Sequence, residues 1–374
     1  MRIAIAGAGI AGLTSAVALA HRGFEVDVFE RAVQLEEIGA GIQLSPNATA
    51  VLERLGVMAD LAGKVSEPEA LSIRDAGNGA LLARMPLGQS ARARYGSPYC
   101  TLHRADLQTA LLSAARRQPT VSIILGAEVR DVRDIEAEVR FTAGGESRRA
   151  DLLLAADGVH SKIRVEHFGY SGPMSFAQSA WRAIVPAKDL APLISANEVG
   201  LWLGARGHLV HYPVNAGANL NVVVIATGGG PRPPSAPFGP LARCVIESVP
   251  SWILSPLMAV DASRSWARGR VALTGDAAHA MAPSAAQGGA QAIEDAWDVA
   301  RSLAQSRDNP AHALSTHARS RAPRVKRVAR MGSTNLNVYG MTGVPALLRN
   351  SILRITPAML LTSQLDWLFG WKPE

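Results

Sequence analysis

The sequence predicts an α/β protein: a Rossmann-like parallel sheet, interrupted by an inserted antiparallel sheet and followed by a helical C-terminal segment. Three observations predict it. The chain opens on an apolar strand that runs into Gly7-Ala8-Gly9-Ile10-Ala11-Gly12 and then a helical pattern. Two further apolar runs, 152–156 and 271–274, end in Asp157-Gly158 and Gly275-Asp276. Continuous runs of this kind suit strands buried on both faces of a parallel sheet. Between them, from about 175 to 265, the texture changes to short alternating strands with Pro and Gly turns, the pattern of an antiparallel sheet.

Residues 2–6 read as the first strand, about 11–22 as a helix with Gly23 at its left-handed end, and 25–30 as the second strand. Residues 71–85 read as a hairpin turning at Gly77-Asn78-Gly79. Leu107, Ala110, Leu111 and Ala114 recur at helical spacing over 104–117. Strands follow at 177–185, 199–203, 208–214 and 219–226, the last two joined through Asn215-Ala216-Gly217-Ala218. A helix starts near 288, and the tail from about 309 reads as helix interrupted by Pro323, Pro345 and Pro357. The resulting division is 1–70, 98–174 and 266–308 for the nucleotide-binding domain, 71–97 and 175–265 for a substrate domain, and 309–374 for the C-terminal segment.

Hydrophobic content of 48% with 18% charged residues is that of a globular chain. Cys100 and Cys244 lie far apart, with no Cys or His at metal-ligand spacing, so neither a disulfide framework nor a metal site is expected. The start of the chain lacks the pattern of a signal peptide, and no apolar run reaches about 18 residues. A cytoplasmic protein is the expectation. The net charge of +7 is local: between 309 and 365 stand eight Arg or Lys and no acid, which leaves the rest near −1. With no nucleic-acid-binding motif, this basic segment reads as a solvated helix face, the alternative being weak contact of 319–330 with an anionic membrane surface or partner.

The glycine motif carries specific chemistry. Gly7 permits a tight turn, Gly9 lets a pyrophosphate approach the backbone, and Gly12 allows close helix–strand packing. The helix N-terminus offers free N–H groups to phosphates, and Glu30, 23 residues after Gly7, can accept hydrogen bonds from an adenosine ribose. Alone this motif does not separate NAD from FAD. The series Gly275-Asp276, His279, Pro283, Gln287-Gly288-Gly289 and Glu294-Asp295 favours FAD. Asp276 at a strand end points toward a ribityl or phosphate group. The glycine pair starts a helix whose positive end suits the negative charge of a reduced flavin ring.

At these residues the chain resembles the single-component FAD aromatic hydroxylases, the p-hydroxybenzoate hydroxylase-like family, over essentially its whole length. GAGIAG at 7–12, Asp157-Gly158 and GDAAHAMAPSAAQGGAQAIEDA at 275–296 match in order and spacing. Leu102-His103-Arg104-Ala105-Asp106-Leu107 is similar to the stretch whose Arg reaches the FAD, here Arg104, and Gly39–Asn47 is similar to a loop near the flavin that includes Gln43. The resemblance completes the cofactor set with Ala11, Arg31 and Val129. It implies tightly bound FAD, NAD(P)H as a transient reductant, and O2 adding at flavin C4a to give a hydroperoxide that transfers OH to a small aromatic substrate. No second Gly-x-Gly-x-x-Gly is present for a separate NAD(P)H domain.

HLVHYPV at 208–214 and WRAIVP at 181–186 look most like the salicylate and 3-hydroxybenzoate hydroxylase branch. That branch implies His211 as the base that orients and deprotonates a phenol; Tyr212 and Pro283 are expected to line the substrate, and Arg182 to pair with an anionic substrate group or, equally, with an Asp or a carbonyl. In a strand His211 and Tyr212 point to opposite faces, so only one can face the flavin; the other reading of His211 is a structural sheet histidine. Ser284 departs from the aromatic or bulky residue that many relatives carry after Pro283. The rival functions are a same-fold enzyme acting on a polycyclic, antibiotic or isoprenoid substrate, and a flavoprotein that binds without oxygenating. WRAIVP lacks the second Trp of the flavin halogenases.

Overall fold

The structure is a computed structural model that describes residues 1–35 and 40–374; Gly39, the first residue of the expected flavin loop, lies outside them. Its main sheet runs β17 (Ala267–Arg268), β18 (Val271–Leu273), β11 (Leu152–Ala155), β1 (Arg2–Ala6), β2 (Glu25–Glu30) and β7 (Val121–Leu125). All neighbours are parallel except β17 and β18. Segments more than a hundred residues apart thus meet at the sheet centre, and all four residues of β11 are buried, as its unbroken apolar run requires. The helices Ile10–Ala20, Arg104–Arg116 and Gly288–Gln305 cover one face. The other is covered by a three-stranded antiparallel sheet, β8 (Val129–Ile135), β9 (Glu138–Ala143) and β10 (Glu146–Ala150), through Val139 and Phe141.

The second large sheet has the order β16 (Ile253–Ala259), β12 (Met174–Pro186), β15 (Asn219–Thr227), β14 (Gly207–Val214), β13 (Val199–Gly204), β4 (Ala70–Asp75) and β5 (Leu81–Pro86). It is antiparallel except where β13 pairs β4 in parallel, which is how the early hairpin joins strands that follow a hundred residues later. Its outer face packs Trp181, Trp202, Leu209 and Val222 against the Pro240–Ser248 helix. Its inner face meets a small ribbon of β3 (Gly41–Leu44) and β6 (Cys100–His103) and the C-terminal helices.

The tail corrects one expectation. The Pro310–Tyr339 helix passes through Pro323 without a break. An interior proline costs about 3 kcal/mol in lost hydrogen bonding and clash. Here the flanking Arg321 and Arg324 tie the helix to Glu294 and Asp295 on both sides of the defect. Pro345 sits in the first turn of the Gly343–Ile355 helix, and Pro357 immediately precedes the Ala358–Ser363 helix.

Candidate active site

The glycine turn is shaped by contacts that a side chain would destroy. Gly7 has φ +104°, and a Cβ there would lie 2.5 Å from the Ala156 carbonyl oxygen. A Cβ on Gly12 would fall 1.9 Å from the carbonyl oxygen of Gly7. At Gly9 it would meet nothing within 4 Å, so an open cradle faces the start of the Ile10–Ala20 helix, where a diphosphate would receive free N–H groups. Glu30 accepts the Ala8 N–H at 2.8 Å and the Ala32 N–H at 2.9 Å; its carboxylate thus holds the turn, with lone pairs left for a ribose. Arg31 beside it is exposed.

The other two strand ends arrive next to this turn. Gly158 has φ +80°. The Asp157 carboxylate accepts the Ile163 N–H at 3.4 Å, while its buried Oδ1 has no partner; burial pushes its pKa above the usual carboxylate range. Gly275, φ +59°, packs on Ala11, where a Cβ would come within 2.7 Å. Asp276 is exposed and lies beside Gly288, and Gly289 packs on Ile42. An open glycine cradle, an orphaned carboxylate oxygen and an exposed Asp at three neighbouring strand ends fit the phosphates and sugar-like chain of FAD. Val129 is a core side chain packed with Phe29 and Phe141.

Gln287 is drawn into the protein. Its Nε2 donates to Ser45 Oγ at 2.8 Å, and its Oε1 accepts from Asn47 at 3.3 Å. Asn47 also donates to Glu294 at 2.6 Å. Glu294 is gripped by Arg321 and by Arg324, whose Nε lies at 2.7 Å. Asp295 accepts from Arg321 Nε at 2.8 Å and from the Gly275 N–H at 3.2 Å, with His279 Nε2 at 2.5 Å. Burial drives the Asp295 pKa up, but His279 and Arg321 hold it well below the usual range. The basic C-terminal segment is therefore not simply a solvated face. Arg321 and Arg349 are buried and Arg324 half-buried, and the network reaches the strand end that carries Asp276.

Which side chains share the inner face of the second sheet is set by its register. Tyr212 pairs with Asn221, and Val223 with Arg182 and Val210. Side chains alternate, so Arg182, Tyr212, Asn221 and His208 share the inner face. There Asn221 Oδ1 accepts the Gly41 N–H at 2.8 Å, and a Cβ on Gly41 would come within 2.7 Å of Tyr212 Cε2. Tyr99 donates to Gln43 Oε1 at 2.7 Å, and Ala282 packs on Ala180 and Ile225 of the same face. Pro283 is exposed at the head of a short 3-10 turn, ahead of Ala286 with φ +51°. Burial lowers the Arg182 pKa; Tyr212 raises it and Arg104 lowers it.

His211 requires a correction. It lies on the outer face, in register with Gly200 and Val222 and beside Trp202. Burial, with a further push from Arg74, lowers its pKa to about 3. It cannot reach a substrate held against Tyr212. The titratable histidine on the inner face is His208, which the sequence reading passed over although its spacing of four from Tyr212 puts both on one face. Burial lowers the His208 pKa to about 4, and Tyr339 of the Pro310–Tyr339 helix packs edge-on to it at 5.2 Å.

Comparison with known proteins agrees with this geometry. The family described as FAD binding domain matches residues 1–235 and 246–331. A 3-hydroxybenzoate 6-hydroxylase of Klebsiella oxytoca is 33% identical, over 100% of this chain and 98% of that protein. A 3-amino-4-hydroxybenzoate 2-monooxygenase of Streptomyces cremeus is 35% identical over 99% and 95%. Among solved structures, a salicylate hydroxylase in a substrate complex superposes with a TM-score of 0.82 at 25% identity, covering 100% of this chain and 96% of that one. HpxO of Klebsiella pneumoniae, complexed with FAD and uric acid, shares the fold at TM-score 0.86 and 24% identity, covering 98% and 96%. With the cradle, the strand-end carboxylates and the roofing sheet in place, the chain belongs to the p-hydroxybenzoate hydroxylase-like family of FAD-dependent monooxygenases.

Proposed function

We propose that this monooxygenase hydroxylates a small aromatic acid carrying a phenolic or similarly acidic group, with NAD(P)H as transient reductant and O2 as oxidant. The observation that carries the proposal is Arg182. Its largely buried guanidinium stands on the inner face beside Tyr212, with the charge of Arg104 near, and no side-chain hydrogen bond ties it to an acid of the described residues. A cation kept in such a place without a carboxylate partner is costly, and a substrate carboxylate would offset that cost through a bidentate contact. The relatives named for hydroxybenzoates and hydroxynicotinate add weight to the aromatic-acid reading.

FAD, when bound, supplies the oxygen chemistry. In the proposed reading residues 1–70, 98–174 and 266–308 form the domain that holds it, and the chain's own residues do the rest. Arg182 orients the acid. His208 is a neutral imidazole at neutral pH and can accept the proton of a substrate phenol, which makes the ring a better nucleophile. Tyr212 fixes the ring plane, and the Asn221–Gly41 hydrogen bond closes the ribbon over the sheet and excludes water.

The test is a panel of hydroxylated aromatic acids and their uncharged amides, followed by flavin absorbance change on binding, NAD(P)H oxidation and peroxide release. The acids should bind at least about tenfold tighter than the amides, as expected for a charge-assisted contact, and Arg182→Gln should remove the difference. Equal binding of acids and amides by the wild type would overturn the proposal and favour a larger, uncharged substrate.

A further inference from the structure

On the outer face of the second sheet a cleft of about 220 Å³ is bounded by the sheet, Leu241 of the Pro240–Ser248 helix and the turn 191–195. The sheet supplies Trp202 of β13 and Arg74 of β4, which stand opposite each other in the parallel register. The Arg74 guanidinium lies over the indole ring, 5.6 Å from its centroid. It donates to the Gly79 carbonyl at 3.1 Å and forms no ion pair with an acid of the described residues. Glu198, whose charge reaches Arg74, is paired instead with Arg84 at 2.9 Å. Arg74 thus keeps donors to spare among its N–H groups. The Trp202 Nε1 is buried without a hydrogen-bond partner, an uncommon state for a buried donor. The Ser195 hydroxyl accepts the Asn197 N–H at 3.4 Å and has its own proton to donate. Leu193, Ile194 and Leu241 supply an apolar wall.

We propose that this cleft binds a small carboxylate with an apolar body, of about the size of benzoate. All three polar groups offer protons, and donors gathered beside a cation select an acceptor that carries negative charge. The apolar wall selects against a bare inorganic anion, which would leave that wall in water, whereas an apolar body gains by covering it. The volume agrees. An apolar cavity of about 150 Å³ takes one benzene ring, and the larger cleft leaves room for a carboxylate beside Arg74. Trp202 packs with Leu209 and beside His211, on the side of the sheet opposite Arg182 and Tyr212. An occupant here therefore does not compete with one on the inner face, and the proposal stands apart from the substrate assigned there.

The experiment follows the indole N–H resonances of FAD-loaded, isotope-labelled protein during titration with sodium benzoate, with benzamide as the uncharged control. The Trp202 resonance is identified by its loss in Trp202→Phe. It should shift saturably with benzoate, at the roughly millimolar affinity that so few ligand atoms allow, and at least about tenfold more weakly with benzamide. Arg74→Met should weaken benzoate at this resonance by about tenfold or more, while Arg182→Gln should leave it unchanged. Equilibrium dialysis needs no assignment: FAD-loaded Arg182→Gln should still bind benzoate, and adding Arg74→Met should remove that binding. A Trp202 resonance that does not respond well above millimolar benzoate overturns the proposal. So does equal binding of benzamide, or benzoate binding that survives Arg74→Met in both measurements.

Discussion

Replacing Arg321 by Met tests whether the basic C-terminal helix is part of the cofactor site or a solvated appendage. The buried guanidinium serves both Asp295, at 2.8 Å, and Glu294, and also donates to Gln291 Oε1 at 2.9 Å. Methionine fills similar volume but leaves two buried carboxylates short of a cation. Breaking a buried pair in this way typically costs about 3–5 kcal/mol. Glu294 would retain Arg324 and Asn47, and Asp295 would retain His279 and the Gly275 N–H, so the lower end, about 3 kcal/mol, is expected. For a chain of 374 residues that is roughly 4 °C in Tm. Because Asp295 also holds the N–H of Gly275, next to Asp276, FAD affinity should fall with it.

The pH dependence gives a second reading of the same variant. The folded pKa of Asp295 is depressed, so its contribution is present above the unfolded carboxylate value and is lost as pH falls through the folded one. Without Arg321 the folded pKa rises toward the unfolded value, so the contribution above that value shrinks and the acid-induced loss becomes smaller than in the wild type. Differential scanning calorimetry of holoprotein between pH 2 and 8, with FAD titrated into the apoprotein, measures both effects. A Tm within about 2 °C of wild type at pH 7, with unchanged FAD affinity, would return Arg321 to the solvated face that composition alone suggests.

Asp276→Ala should weaken FAD retention by about tenfold or more while the apoprotein keeps its Tm, read by flavin released on dilution. Gly12→Ala should fail to hold FAD or to fold, because its Cβ would meet the Gly7 carbonyl oxygen at 1.9 Å; a variant with wild-type FAD content would show that the turn relaxes. His208→Ala should slow hydroxylation by about 10²–10⁴-fold and divert NAD(P)H oxidation into peroxide. His211→Gln should leave the product formed per NAD(P)H unchanged. In the wild type both histidines have folded pKa values below the unfolded one, so stability they support above about pH 6.5 is lost as pH falls toward 4. His211→Gln should make that decline shallower on a urea-denaturation series, and an identical slope would count against the burial argument.

The parts of the molecule governed by local backbone demands were legible in the sequence. Gly7, Gly12 and Glu30 answer to one turn and its neighbours, and the continuous run at 152–155 states its own burial. The parts decided by distant partners were not. Nothing near Pro323 says that Glu294 and Asp295 will hold Arg321 and Arg324 and carry the helix through. The strand β10 is mostly exposed and charged, so the sheet it completes over Phe29 leaves little apolar alternation to read. On β14 the alternation was legible, and it placed His211 and Tyr212 on opposite faces. Which face looked inward depended on Asn221 meeting Gly41, a contact spanning 180 residues.

The two histidines of β14 show why titration behaviour alone could not have corrected that choice. Burial lowers the pKa of both, so both are neutral imidazoles at pH 7 and equally plausible as proton acceptors by that measure. Their surroundings separate them. Across the register from His211 stands Gly200, and a Cβ on that glycine would fall 1.9 Å from the imidazole Nε2. The ring therefore occupies the volume that a side chain at 200 would take, against Trp202, and its buried Nδ1 has no partner. A group packed so closely into a neighbour's missing side chain has no space for a substrate atom beside it. His208 instead faces Tyr339, on a helix whose end is capped by Arg349. Of the two, it is His208 that shares a face with Arg182 and Tyr212, the face that the proposed function takes for the substrate.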